Sequence, residues 1–471
     1  MTEVLVIGGG ASGMAAAITA ARHGAKVLVL EKKNSLGKKL LATGNGKCNF
    51  TNQVQHAKCY HSRQEDYPWK IIQRFGWRES VAWFEEIGIL ARDRNGYVYP
   101  ASGQAASVLH ALQREIERLQ IEVHTEEAVQ KVGRNFRQKG FLVTTDRAKY
   151  FAENLIISTG GMASPAHGST GDGYEFAKEF GHHLVPPLPA LTSLVLEGSF
   201  CKMWSGVRVQ GMVSLFDETG HLLRKDSGEI QMTAYGISGI PVFQLSRFAA
   251  WELNRGRKVT LCLDSMPEYK KEWLVNEFLK WKRQNEQQSI RDLLEGMLPD
   301  KLAGVYVKKL KIADTAHVKE ISKEQFFQLA DIIHHMEFLV REVSGFEKAQ
   351  VTAGGICTEE VCPDTMESRL CKGLFFTGEL LDVDGDCGGY NLQWAWATGC
   401  LAGCAAAKAG NGEKNDTYQS DKGAARRSHQ KSAGQANKKR KNRGRGAVSR
   451  KKGGSKTSSD GRGRNQGISN Q

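Results

Sequence analysis

The chain has 471 residues, 65 Lys+Arg against 51 Asp+Glu, and a formal net charge of +14. Residues 411–471 hold 17 Lys+Arg and 4 Asp+Glu, so residues 1–410 form a nearly neutral body able to bury a large core, whereas the tail has too few apolar side chains to build one. Apolar runs are too short for a membrane span, Glu3 sits where an export leader needs basic residues, and the 10 Cys lack disulfide or zinc spacing, which predicts a cytoplasmic protein with no metal.

Residues 2–7 read as a buried strand, 8–13 as a glycine turn, 14–23 as an Ala-rich helix, and 26–30 as a second strand ending at Glu31. This βαβ unit carries GxGxxG with an acid 18 residues after the last glycine. Gly8 serves the tight turn, Gly10 lets backbone approach a pyrophosphate, and Gly13 permits close packing of helix on strand. The helix N-terminus offers amides to phosphate, and Glu31 accepts from ribose hydroxyls. No second unit of this kind follows, so no dedicated nicotinamide domain is expected, and NAD(P)H, if it is the reductant, must dock transiently.

Residues 37–52, rich in Gly, Asn, Thr and Lys without apolar period, read as a long ligand-binding loop. Helices are expected at 77–90 and 103–120, and strands at 121–124, 128–132, 141–145 and 155–158. Pro186-Pro187-Leu188-Pro189 marks a boundary. Short strands follow at 194–196, 206–215 and 259–263. From 268 to 345 the period turns helical, with stripes Leu274/Phe278/Trp281 and Ile290/Leu293/Leu294/Met297, a stop at Pro299, and a capping box from Ser322 to Gln325 before Phe326/Leu329/Ala330/Ile333. Residues 374–377 read as a strand, Gly378-Glu379 as a turn, and Gly388-Gly389 as the opening of a helix over 390–408, whose positive end suits an anionic ring system near Asn391 and Leu392.

Three ordered runs carry a resemblance: GKKLLATGNGKCNFTN (37–52) after GGGASG and VLVLE; LIISTGG (155–161) followed by GSTGDGY (168–174); and GLFFTGE (373–379) followed by DVDGDCGGYNLQW (382–394). Together they resemble the signature of BaiN/RdsA-type flavoproteins, FAD-dependent reductases of the two-dinucleotide-binding-domain kind. The likeness spans residues 1 to about 408. Lys47 stands where the family usually has Arg, which loses a planar fork, and Ser158 where Ala is common.

Pattern and resemblance agree on an α/β fold class: an FAD-binding Rossmann-like domain in two pieces (1–189 and 346–410), an inserted strand-plus-helix substrate domain (190–345), and a separate disordered basic tail (411–471). The cofactor set they imply is Gly8, Gly10, Ala11, Ser12, Gly13, Glu31, Lys32, Lys39, Gly44, Lys47, Cys48, Asn49, Val129, Thr159, Gly160, Gly161, Gly378, Glu379, Asp386, Gly389, Tyr390, Asn391 and Leu392.

The resemblance implies FAD as cofactor, NAD(P)H as co-substrate, and hydride transfer to a C=C conjugated to a carbonyl, followed by protonation of the enolate. Asn49, Lys47 and Tyr390 are the expected donors to the enolate oxygen, Cys48 or Tyr390 the expected acid, and His167 a weaker donor. The first expectation for substrate is a small-molecule enone, a 3-oxo-4,6-diene bile-acid intermediate of the 7-dehydroxylation pathway. The alternatives are a uridine of ribosomal RNA reduced to dihydrouridine, with the tail contacting RNA phosphates, and a non-enzymatic flavoprotein redox sensor.

Overall fold

In a computed structural model of the protein, residues 2–135 and 140–410 are described; the basic tail, and the RNA contact expected of it, lie outside them. Thr2–Ile7 pairs parallel with Val27–Leu30 on one side and Lys149–Ile157 on the other. Glu122–His124 extends the sheet beyond Val27–Leu30, and Leu374–Phe376 joins Lys149–Ile157, also in parallel. Antiparallel strands Gly140–Thr145 and Val129–Asn135 complete seven. Val4, Leu5 and Val6 are fully buried, as befits parallel strands covered on both faces.

Helix Ala11–Arg22 packs on the C-terminal helix Tyr390–Gly410 through small residues. A Cβ at Gly399 would stand 2.4 Å from the Ser12 carbonyl oxygen, and one at Gly403 2.3 Å from that of Ala16. This close approach draws the second piece of the domain back against the first.

Between the pieces, Leu194–Leu196, Gly236–Ser238, Leu222–Thr233, Arg208–Phe216, Thr260–Asp264 and Met336–Val343 close, in that spatial order, into a barrel with its own core. The chain leaves the first piece along Leu184–Ala190 and returns along its antiparallel partner Val351–Ile356. Pro186, Pro187 and Pro189 lie on the outgoing strand, where a bulge between Val185 and Leu188 accommodates the first two.

Three expectations need correction. The 37–52 segment is not a bare loop: it contains helix Lys38–Ala42, a 3-10 turn Thr43–Gly46 and strand Thr51–Asn52. The stretch expected to hold only strands also contains helix Ile240–Asn254. The stretch expected to be helical throughout ends in the barrel strand Met336–Val343, where Met336, Phe338 and Val340 point inward with exposures of 0%, 4% and 5%. Leu339, apolar on the outer face, hides that period of two. Helices Lys271–Gln284, Ile290–Glu295 and Lys323–His334 lie on the predicted stripes, and Asp300–Lys309 restarts directly after Pro299. No helix among the described residues is long and apolar enough to cross a membrane.

Candidate cofactor and active site

The first glycine turn separates three physical roles. Gly8 has φ +101°, and a Cβ there would lie 2.6 Å from the Ser158 carbonyl oxygen; one at Gly13 would lie 1.9 Å from that of Gly8. At Gly10 a Cβ would meet nothing within 4 Å, so only this glycine faces open space. Helix Ala11–Arg22 has no side-chain cap and no acid in its first turn. Its first paired amide is Met14, bonded to the Gly10 carbonyl at 2.9 Å, and the amides of Ala11, Ser12 and Gly13 have no acceptor among the described residues. Three free amides at a positive helix end, beside a glycine without a Cβ, suit a phosphate.

Glu31 is fixed at the end of the second strand: Oε2 accepts the Gly9 amide and Oε1 the Lys33 amide, each at 2.8 Å. Both oxygens keep a lone pair for a hydroxyl. A cleft beside it is lined by Gly8, Glu31, Lys32, Val129 and Thr159, five of the expected residues. The Thr159 Oγ1 is buried there without a partner. The Lys32 ammonium is held by Thr170 and Asp172.

Farther along, Lys39 pairs with Glu379 at 2.7 Å, and the second Glu379 oxygen accepts the Thr352 amide at 3.0 Å and hydroxyl at 2.9 Å. Gly161 lies against this group, since a Cβ there would be 2.4 Å from Thr352 Oγ1. Gly160 precedes it with φ +73°. Gly378 donates to Thr398 Oγ1 at 2.9 Å and accepts from Trp394 Nε1 at 2.9 Å, which ties the strand end to the C-terminal helix.

A second helix mouth lies at Gly388-Gly389. A Cβ at Gly389 would be 2.7 Å from the Thr51 carbonyl oxygen and 2.9 Å from Asn49 Oδ1. Gln393 is the first amide with a partner, bonding to the Gly389 carbonyl at 2.9 Å; those of Tyr390, Asn391 and Leu392 have none among the described residues. The Asn391 side chain closes a ring with the Gly385 backbone, giving and receiving bonds of 2.8 Å. Asn49 is 8% exposed and its Oδ1 is buried without a partner. Lys47 and Gly44 are exposed beside it.

The two expected proton donors are turned inward. Cys48 is fully buried, and burial pushes its thiol up to about 12; a thiol with no surface and so weak an acid has no route to a substrate. Tyr390 is 7% exposed, its hydroxyl already donates to the Val54 carbonyl at 2.8 Å, and burial raises it well above the ordinary phenol range. Asp386, expected at the cofactor, instead accepts from His61 at 2.8 Å and Arg224 at 3.1 Å. The Nδ1 of His167, in the turn Pro165–His167, is buried without a partner.

Sequence reasoning missed the clasp between barrel and dinucleotide domain. Arg247 grips Asp384 through two bonds, Arg224 reaches Asp386, and Gln244 Oε1 accepts the Cys387 amide at 2.8 Å. The alternating acids Asp382, Asp384 and Asp386 are visible in the sequence, but their partners lie more than a hundred residues away and carry no local signal.

Two uncapped helix mouths, a fixed carboxylate, a glycine facing open space and two orphaned buried oxygens (Thr159 Oγ1 and Asn49 Oδ1) fit an extended dinucleotide with its phosphates at the first mouth and its ring system at the second. Among the described residues no group of three His, Cys, Asp or Glu side chains is arranged to hold a metal.

The chain is 41% identical over 411 residues to the 3-dehydro-bile acid delta(4,6)-reductase of Clostridium scindens, covering 87% of this chain and 100% of that protein. It is 29% identical over 402 residues to the ribosomal RNA dihydrouridine synthase of Haemophilus influenzae, covering 84% and 96%. Among solved structures, the 3-ketosteroid-delta4-(5alpha)-dehydrogenase of Rhodococcus jostii in complex with 4-androstene-3,17-dione aligns at 15% identity with a TM-score of 0.45, covering 86% of this chain and 97% of that one. The HI0933-like protein Rossmann domain family matches residues 2–405, and the chain belongs to that family.

Proposed function

We propose that the protein is an FAD-dependent, NAD(P)H-using reductase of a C=C bond conjugated to a carbonyl, with a 3-oxo-4,6-diene bile-acid intermediate as substrate. The chain is an oxidoreductase, and the observation that carries the flavin reading is the second helix mouth. There the amides of Tyr390, Asn391 and Leu392 have no acceptor among the described residues, and the orphaned Asn49 Oδ1 lies beside Gly389. When bound, FAD supplies two-electron chemistry, taking a hydride from NAD(P)H and passing one to an electrophilic carbon.

The chain's own residues bind and orient. The amides of Ala11, Ser12 and Gly13 would hold the pyrophosphate, and Glu31 and Thr159 the nucleoside. The Lys39–Glu379–Thr352 group would hold the polyol, and the positive end of the C-terminal helix favours negative charge on the ring system. Whole-length identity of 41% to a bile-acid reductase supports the substrate class. The RNA reading has two observations in its favour, the 17 Lys+Arg against 4 Asp+Glu of residues 411–471 and the 29% identity to a ribosomal RNA dihydrouridine synthase.

The test is purification as a yellow protein, followed by NADH or NADPH oxidation with 3-oxo-4-ene and 3-oxo-4,6-diene bile acids and, separately, with unmodified ribosomal RNA. Turnover with the steroid alone supports the reading. Dihydrouridine formed in RNA, with no steroid turnover, replaces it by the second.

A further inference from the structure

With Cys48 and Tyr390 turned inward, the reaction proposed above lacks its acid, and the barrel face opposite the glycine mouth carries one. We propose that the Asp226 carboxyl is the group that protonates the substrate carbon next to the carbonyl. This assignment rests on the reductase reading.

Asp226 lies on strand Leu222–Thr233, where from Arg224 onward the even-numbered residues are the more buried ones. Side chains alternate along a strand, so Arg224 and Asp226 share one face. That face meets the dinucleotide domain at the glycine mouth. Arg224 bonds to Asp386 at 3.1 Å, two residues before Gly388, and Gly228 lies against Pro241 on helix Ile240–Asn254. From the other side Tyr97 covers Gly388, its Cε1 standing 2.7 Å from where a Cβ would be. Burial is the main cause that raises the Tyr97 phenol and the Cys387 thiol, and the Asp226 charge is near enough to both to add to it.

The carboxyl is half-buried and has no cation of its own. Its one hydrogen bond among the described residues is from the Ser227 amide to Oδ1 at 2.8 Å, and it makes no ion pair there. Arg224, on its own strand, is already engaged by Asp386 and stacks 5.8 Å over Phe248. Asp386 is shared with His61, and its negative charge faces Asp226. Burial, aided by Asp386, therefore raises the Asp226 carboxyl above the ordinary range, against the lowering pull of the Ser227 amide and Arg224. A half-buried acid with no ion pair among the described residues, at a domain interface beside a cofactor mouth, is the arrangement expected of a proton donor.

The atoms balance. A hydride enters the carbon β to the carbonyl, the C=C pair shifts to join the α-carbon to the carbonyl carbon, and the C=O π pair moves onto oxygen to give the enolate, whose collapse restores the carbonyl as the α-carbon is protonated. The α C–H bond then forms as the Asp226 O–H bond breaks, and the remaining carboxylate regains a proton from water.

The experiment uses the FAD-loaded full chain, reduced anaerobically with dithionite and mixed with a 3-oxo-4-ene bile acid, for wild type, Asp226→Asn and Asp226→Glu. Wild-type reoxidation is expected to fall at high pH as the acid ionises. Asp226→Asn is expected to slow it roughly 10²–10⁴-fold with unchanged steroid affinity, to abolish that limb of the pH profile, and to be partly rescued by Asp226→Glu. A second readout needs no turnover: infrared titration of the oxidised holoprotein should show a protonated carboxyl, absent from Asp226→Asn, persisting above the ordinary carboxylate range. Reoxidation of Asp226→Asn within threefold of a fully active wild type overturns this assignment and leaves the reductase reading intact. Failure of the wild type itself with every enone removes both.

Discussion

Arg247 and Asp384 are joined across the domain boundary by two bonds, Nε to Oδ2 at 2.8 Å and Nη2 to Oδ1 at 3.0 Å, with Asp384 only 2% exposed. The pair fastens helix Ile240–Asn254 of the barrel domain to the acidic segment that leads into the glycine mouth. Removing the cation alone strands a buried carboxylate, which costs about 3–5 kcal/mol. Arg247→Ala is therefore expected to lower unfolding stability by that order. Arg247→Lys should recover little, because an ammonium cannot fork onto both oxygens, whereas Arg247→Met with Asp384→Asn should recover more. Urea titration of the holoprotein checks this; an Arg247→Ala curve superimposed on the wild type would remove the clasp from the account.

Two glycines of the first turn, Gly13 and Gly10, should respond differently to alanine. Gly13→Ala places a methyl 1.9 Å from the Gly8 carbonyl oxygen, so the turn must open and stability should drop by several kcal/mol whether or not cofactor is present. Gly10→Ala meets no protein atom. Its apoprotein should melt within a degree or two of the wild type while FAD affinity falls at least tenfold, since the methyl enters the space offered to phosphate. Equal FAD affinity in Gly10→Ala would show that the pyrophosphate lies elsewhere.

The contrast between these glycines and the clasp explains what was legible in the sequence. The βαβ unit, Glu31 and the Gly388-Gly389 helix opening are local, because each depends on backbone geometry that neighbouring residues dictate, and all three stand where the pattern put them. The barrel was only partly legible. Leu339 on its outer face breaks the alternation of Met336–Val343, and the single strand Leu222–Thr233 is interrupted in pattern by the charged run Arg224-Lys225-Asp226. Those charges are there because the strand meets another domain. Cys48 was misread for the opposite reason: its glycine-rich surroundings suggest a ligand loop, yet its left-handed backbone, φ +55°, turns the thiol into the core.

Asn49 offers a test that separates stability from binding. Its Oδ1 is buried without a partner, an arrangement that costs about 1–3 kcal/mol unless a ligand supplies the missing bond. Asn49→Leu, close in shape and free of polar atoms, is expected to leave the apoprotein as stable as the wild type or more so. FAD should bind more weakly, with the reduction potential of the bound flavin shifted. Calorimetric melting with and without FAD, together with a potentiometric titration, reads both. A variant that is destabilised in apo form yet binds FAD normally would make the asparagine purely structural.

Asp382 links pH to stability in a way that differs from most carboxylates. It is 1% exposed, and burial pushes its carboxyl up to about 6 from an ordinary 3.8, even though Oδ2 accepts the Arg63 amide at 2.8 Å. The folded protein therefore holds this proton more tightly than the unfolded chain does. The stability it contributes is complete below about pH 4, is lost as pH rises through about 6, and amounts to about 3 kcal/mol over that window. Asp382→Asn keeps an oxygen for the Arg63 amide but has no charge to bury. It should match the wild type near pH 4, exceed it by about 1–3 kcal/mol at pH 8, and flatten the profile between. Urea unfolding at pH 4.5, 6 and 8 decides: a variant less stable than the wild type at pH 8 would mean that Asp382 is held there as a carboxylate by its neighbours, with Arg247, whose charge lowers it, the cation to test next.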